Sequence, residues 1–548
     1  MMATLRVTAG SWLRSRFLSS ASVSRRSLHI STGKDAISTN TELFKSRELC
    51  KNHIDSATID LKLPLNVNSD AIKLEIDNLF CDKSRAQEKF DLFIKQRLRH
   101  CAVGSISNLV RTSGKKSRDN NFLILRKHLS PIASRLDELS CKPWRFMHIV
   151  FVINGLQCLS HTDESVIKIM TSMVRIAKSN LRWEREVRSQ HVTMFLLGLQ
   201  NMSSNEPIVR ELLLIGDIAL GKCNETFSAQ QIANSLYGLN RLSSNCAEVR
   251  AVISALVPKV HDCKDILREM EVGAALYGMR GMVSDYAEVR AMISAVTSKV
   301  HDSREILCAQ TMSNALYGLR EMNSDHVEVR TLLSVLSQKI FNCRDIINAQ
   351  AVCKSLFGLR GMSSDHVEVR SLLSALEPKV RQCNEVLTAQ TIGNAIIGLQ
   401  RLSSDHSEVR SMLSTLTPKI HCVREIFQIT DIVLILQGLQ RMSSDHVEVC
   451  EMVAALTLKI SQCRESFQAS SLGDALYGLG RMNSNQFQVR ALLSVLLPKV
   501  KHCRGLLTSQ SLNLALLGLK EMDRNCHEVS MLLQALEKKK VGNLNSKI

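Results

Sequence analysis

Residues 229–263 read AQQIANSLYGLNRLSSNCAEVRAVISALVPKVHDC, and residues 389–422 read AQTIGNAIIGLQRLSSDHSEVRSMLSTLTPKIHC. They are two copies of one unit. Gly198, Gly238, Gly278, Gly318, Gly358, Gly398, Gly438, Gly478 and Gly518 mark it every 40 residues without a slip. A worn copy, VINGLQCLS, surrounds Gly155, 43 residues before Gly198. A still weaker one is FLILRKHLSPIASRLDEL, residues 122–139. A fixed period of this length is the mark of stacked supersecondary units.

Each copy reads as two helices. In the unit that opens near Ser228, helix A is expected over Ala229–Leu242, where Ile232, Leu236 and Leu239 fall at i, i+4 and i+7. Ser228 and Gln231 have capping-box spacing. Ser243-Ser244-Asn245 turns the chain, and Asn245 with Glu248 has the same spacing at the start of helix B. That second pair recurs as Asp285/Glu288, Asp325/Glu328, Asp365/Glu368, Asp405/Glu408 and Asp445/Glu448. Val249, Val252, Ile253, Leu256 and Val260 give helix B an apolar face. Pro258, Pro378, Pro418 and Pro498 are expected to bend its last turns. One such hairpin cannot bury both apolar faces alone, so neighbours must stack. The expected fold is all-α, a solenoid superhelix of about ten helix-turn-helix units.

The sequence divides at residues 1–35, 36–95, 96–186, 187–537 and 538–548. These are an address peptide, an extension with a helix near Lys83–Arg99, the worn repeats, the regular repeats and a frayed tail. Residues 1–34 carry six basic residues (Arg6, Arg14, Arg16, Arg25, Arg26, Lys34), many serines and no acid. They have no apolar core of the secretory kind, so they read as a mitochondrial presequence, with a plastid address as the alternative. Arg26-Ser27-Leu28-His29-Ile30-Ser31 resembles a two-step cleavage site, which places the cut near Ser27 or Asp35. The matrix is the expected compartment.

Apolar residues make up 45% of the 548, while aromatics are 4% and prolines number eight, which favours helices over a β-sandwich or barrel. Net charge is +18, and the chain after residue 34 still carries +12, a surplus suited to a polyanion. The 17 cysteines form no CxxC pair and no zinc-like grouping, so buried thiols in a reduced compartment are expected, with no metal or cofactor. No apolar run approaches the ~18–20 residues that span a bilayer, so no membrane insertion is expected. No Walker loop, GxGxxG, HExxH or GxSxG occurs, so no enzymatic activity and no small-molecule substrate are expected.

Opposite the apolar stripe of helix A lie Gln230, Asn234, Tyr237, Gly238 and Arg241. Down the repeats the second slot holds Asn234, Ala274, Asn314, Lys354, Asn394, Leu434, Asp474 and Leu514. The third holds Tyr237, Tyr277, Tyr317, Phe357, Ile397, Gln437, Tyr477 and Leu517. Cations alternate between two adjoining slots: Arg241, Arg280, Arg320, Arg360, Arg401, Arg441, Arg481 and Lys520. Amides can read base edges, rings can stack on bases, and arginines can hold phosphates. Variation at one slot in a uniform frame suits a modular reader of single-stranded RNA, covering roughly nine or ten nucleotides at one per unit. The rings equally suit packing between hairpins. The recurring glycine points to close helix–helix approach.

On helix B, Lys259, Lys299, Lys339, Lys379, Lys419, Lys459, Lys499 and Lys539 form one basic column. It lies near a helix C-terminus, where cations favour the dipole. Arg210, Arg250, Arg290, Arg330, Arg370, Arg410 and Arg490 form another about half a turn away, so at most one of the two can face a groove. The cysteine column (Cys223, Cys263, Cys343, Cys383, Cys463, Cys503) reads as small buried residues. The Asp-His pairs from Asp325-His326 to Asp445-His446 read as helix caps.

Gln230-Gln231-Ile232-Ala233-Asn234-Ser235-Leu236-Tyr237-Gly238-Leu239 resembles the Q-x-L-A-N-x-L-W-A-L phrase of octotricopeptide repeats. Glu248-Val249 and the later Leu256-Val257-Pro258-Lys259 are similar to that family's PPPEW entry and L-P-[KR]. The resemblance covers residues 147–536, with Tyr-Gly in place of Trp-Ala and no RAP-type domain after the last unit. It implies an organellar RNA-binding factor acting in RNA stability, processing, editing, splicing or translation. Similar repeats occur in mitochondrial RNA-editing substrate-binding complexes. The partners implied are single-stranded RNA and other organellar RNA-processing or ribosomal proteins. The alternative expectation is a protein-binding scaffold of an organellar complex.

Overall fold

The computed structural model describes residues 86–119 and 124–541. The chain divides into two units, Met1–Val67 and Asn68–Ile548, and every described residue belongs to the second. The expected presequence, most of the extension and the end of the tail lie outside the described residues.

The described chain is an all-helical solenoid. Helix A recurs as Ala229–Gly238, Glu269–Gly278, Ala309–Gly318, Ala349–Phe357, Ala389–Ile397, Ile429–Gly438, Ala469–Tyr477 and Ser509–Gly518. Helix B recurs as Ala247–Asp262, Ala287–Asp302, Val327–Asn342, Val367–Gln382, Ser407–His421, Val447–Gln462, Phe487–Lys501 and His527–Val541. Ser189–Gly198 with Pro207–Gly221, and Phe146–Gly155 with Glu164–Ser179, continue the series toward the N-terminus. Val103–Asp119 with Leu129–Glu138 form the most worn hairpin, and Ala86–Arg97 packs ahead of it with Phe90 and Phe93 buried. Two short strands, β1 (Trp144–Arg145) and β2 (Leu181–Arg182), pair in parallel beside the worn hairpins. A helices stack on A helices and B helices on B helices, giving two layers with the apolar core between them.

Helix A is shorter than its apolar spacing suggests. It ends at Gly238, and Leu239, Asn240 and Leu242 donate to the carbonyls three residues back. The tighter turn uses up carbonyls that the helix end leaves free. Ser228 and Gln231 do form their reciprocal cap: Gln231 N donates to Ser228 Oγ at 3.3 Å, and Ser228 N to Gln231 Oε1 at 2.9 Å. The caps expected at helix B do not form. Its N-cap residues are Cys246, Tyr286, His326, His366, His406, His446 and Gln486, and none receives a side-chain cap bond. The four prolines lie within helix B, which runs on past each of them.

Four contacts repeat from hairpin to hairpin. At each marker glycine a Cβ would fall 1.8–2.6 Å from a backbone carbonyl oxygen of the preceding helix A, for example 2.0 Å from Leu276 O at Gly318. The helices therefore cross backbone on backbone. Each turn serine is buried and accepts from the next hairpin's backbone, as Ser324 Oγ does from Ser363 N at 2.8 Å. Each helix-B lysine donates to a carbonyl where the previous helix B ends: Lys299 Nζ to Cys263 O at 2.5 Å, Lys419 to Cys383 O at 2.8 Å, Lys539 to Cys503 O at 2.9 Å. Each loop carboxylate after helix B returns to the N-terminus of its own hairpin's helix A. Asp345 accepts from Ala309 N at 3.0 Å and Glu385 from Ala349 N at 2.8 Å.

The helix-B arginines are occupied as well. Arg330 Nη1 donates to Ser324 O and Asp325 O at 2.9 Å, and its Nε lies 3.8 Å from Glu368 of the next hairpin. The lysine column thus stitches hairpin to hairpin, while Arg250, Arg290, Arg330, Arg370 and Arg410 pin their own turn and reach a glutamate of the next hairpin. The column cysteines are buried, and burial pushes the thiols of Cys223, Cys263, Cys343 and Cys503 up.

Candidate nucleic-acid interface

The slots opposite the apolar stripe of helix A form one continuous face of the A layer, the inner face hereafter. Arg401, just past its helix A, donates to Asn323 Oδ1 at 2.9 Å and Asp325 Oδ2 at 3.2 Å, two hairpins back. Arg441 reaches Asp365 at 3.2 Å, and Arg481 reaches Asp405 at 3.0 Å, by the same stride. These bonds tie each hairpin to the one two away along the edge of this face.

Rings and cations share this face. Tyr237, Tyr277, Tyr317 and Phe357 stack on one another, with centroids 5.8, 5.8 and 5.9 Å apart and planes within 27°. Arg280, Arg320 and Arg360 lie over the rings of their own helices at 4.7, 4.9 and 5.5 Å. Arg280 also donates to Asn240 O at 2.7 Å and to the Tyr277 hydroxyl. Tyr277 is 1% exposed, so both faces of its ring are covered by neighbouring rings. Beyond Phe357 the ring column stops at Ile397, and there the arginine moves one slot to Arg401, Arg441 and Arg481. From Arg280 to Arg481 the change of slot divides a ring-stacked stretch from a bridged one.

The amide slot is closed in the middle. Asn314 is 1% exposed, Asn394 3% and Lys354 7%. Asn314 Oδ1 accepts from Gln310 Nε2 and from Lys354 Nζ, each at 3.1 Å. Burial pulls the Lys354 ammonium down to about 8, and the nearby Arg280 charge adds to the effect. Among the described residues, Arg320, Lys354, Arg360 and the buried Arg280 have one carboxylate between them, Glu321, at 3.4 Å from Arg320 and 3.7 Å from Arg360. Toward the two ends the face opens. Gln230 is exposed, with Asn234, Tyr237 and Arg241 half-buried; Asp474, Tyr477 and Arg481 are exposed. Tyr317, Arg320, Phe357, Arg360, Arg401 and Arg441 are half-buried.

The Asp-His pairs lie at the edge of this face as a ladder between hairpins. Asp325 is approached by His366 Nε2 at 3.3 Å as well as by Arg401. Burial works against its charge, but bonds from Asn323, His366 and Arg401 outweigh that and hold its carboxyl at about 2. The Arg481 and Ser403 bonds hold Asp405 at about 2. Among the described residues no group of three His, Cys, Asp or Glu is placed to hold a metal ion.

One set of cations was not singled out from the sequence. Lys264, Arg304, Arg344, Arg424, Arg464 and Arg504, in the loops between helix B and the next helix A, are exposed, and their side chains have no bonding partner among the described residues. The signal was available: a Lys or Arg at 40-residue spacing, broken only by Asn384, and two residues before an aliphatic one everywhere but at Arg464.

Fold and face together define a helical-hairpin solenoid with an internally stacked, cation-rich inner surface. No family model matches the chain. No curated protein matches it either.

Proposed function

We propose that the chain is an organellar RNA-binding protein that holds single-stranded RNA along the inner face of the solenoid and serves RNA stability, processing, editing or translation. One observation carries the reading. Arg280, Arg320, Lys354 and Arg360 crowd a low-dielectric face with a single carboxylate among the described residues to offset them. Uncompensated buried charge destabilises a fold, and low-dielectric walls focus its field on an incoming anion. A phosphate backbone supplies the missing negative charge at successive points. The tight stacking of the central amides and rings means that a strand reaches them only as neighbouring A helices spread. Phosphate contact at the half-buried Arg320 and Arg360 therefore precedes contact at Arg280 and Lys354 and any reading of bases by Asn314 or Asn394.

The test is filter binding of a short single-stranded RNA to the full chain across a salt series. Four phosphate contacts give a slope of log affinity on log salt of about −3, at about −0.7 per contact on a single strand. Absence of binding at low salt ends the proposal. Joint replacement Arg280→Gln and Arg360→Gln lowers both affinity and slope.

A further inference from the structure

We propose that the rim formed by the loops between helix B and the next helix A is a contact surface for an anionic lipid bilayer. This rests on the rim and not on the RNA reading. Four of these loops run basic, acidic, aliphatic: Lys264-Asp265-Ile266, Arg304-Glu305-Ile306, Arg344-Asp345-Ile346 and Arg424-Glu425-Ile426. The acidic member is turned inward: Asp265, Glu305, Asp345 and Glu425 accept from helix-A backbone N–H groups at 2.7–3.1 Å. Its charge is spent on a helix N-terminus. The residues before and after it point outward, as alternate positions of non-helical chain do. Arg304, Arg344 and Arg424 are left exposed and unpartnered among the described residues. Beside them Ile306, Ile346 and Ile426 stand 53%, 65% and 64% exposed. On the same edge, at the end of its helix B, Phe341 is 75% exposed.

The pattern distinguishes among partners. A nucleic acid backbone uses the cations and has no use for a row of aliphatic tips. A protein partner buries a contiguous apolar patch, whereas these side chains stand singly, about one helix spacing of 8–10 Å apart. A bilayer surface takes separate apolar tips into the interface while cations meet its anionic headgroups. No described helix is long and apolar enough to cross a membrane, so the contact is adsorption at the surface.

The experiment is co-flotation of the full chain with vesicles of phosphatidylcholine alone or mixed with phosphatidylserine. The chain is expected to float with the mixed vesicles only. The joint variant Arg304→Gln, Arg344→Gln, Arg424→Gln is expected to bind them about fivefold more weakly for each arginine lost. The joint variant Ile306→Asp, Ile346→Asp, Ile426→Asp is expected to lose flotation while keeping its helical circular dichroism and its RNA affinity. No flotation with mixed vesicles overturns the proposal, as does flotation unchanged in both variants. Displacement of the vesicles by single-stranded RNA, with equal loss of RNA binding in the arginine variant, assigns the rim to nucleic acid and also overturns it.

Discussion

Lys354 sets stability against binding. Its ammonium titrates at about 8 in the folded chain because burial and the Arg280 charge oppose it, against about 10.4 for a free lysine. Between those values the unfolded chain holds more protons, so stability rises with pH across that window, and below it the full cost of burial is present. Lys354→Met is expected to raise unfolding free energy at pH 7 by about 1–3 kcal/mol and to flatten the rise between pH 8 and about 10. Urea unfolding at the two ends of the window measures both effects. RNA affinity is expected to fall in the same variant, so a gain in both is inconsistent with the proposed role. Gly318 behaves in the opposite sense to helix propensity. Alanine favours a helix by about 1 kcal/mol, but here its Cβ would sit 2.0 Å from Leu276 O. Gly318→Ala is expected to cost about 2 kcal/mol net, read from thermal or urea unfolding. This role was legible from the sequence, since a glycine kept inside every helix A needs a packing reason. The role of the tyrosines was not, because the same ring at the same spacing serves stacking on a base or on the ring next door. Only the 5.8 Å centroid distances show that the rings stack on one another.

At the level of the hairpin, the helix-A cap was legible because both partners lie within four residues. The helix-B cap was misread because Asp325 and its kin are claimed by residues 41 and 76 positions further on, His366 and Arg401. Those bonds make an acid-sensitive stitch. The Asp405 carboxyl is held at about 2 while an unfolded aspartate titrates near 3.9. Its contribution is therefore complete above about pH 4 and is lost as pH falls through about 2. Asp405→Asn is expected to lower Tm at pH 7 and to make Tm less steep between pH 4 and 2 than in the parent chain. Parallel acid profiles for the two would show that the bridge contributes nothing. The loop cations escaped notice for a related reason. They lie outside the helices, and their significance depends on a carboxylate that turns away to cap a helix 36 positions earlier.

Across the whole molecule, the 40-residue period fixed the architecture, and the charge surplus could be counted but not located. The lysine column of helix B and most of its arginine column prove to be internal fastenings. The inner face and the loop rim remain as two separable cationic surfaces. The salt slope distinguishes them in solution. RNA held by the inner face alone gives about −3, whereas engagement of the six rim cations adds about −4 more. A slope near −7 would move the strand partly onto the rim.

The fastenings count in fixed steps of 36, 39, 40 and 76 residues. Within the regular hairpins a single extra amino acid between two partners would shift their stride, whereas a complete additional hairpin would engage every tooth. Recombination between copies can thus lengthen or shorten this chain only by integers.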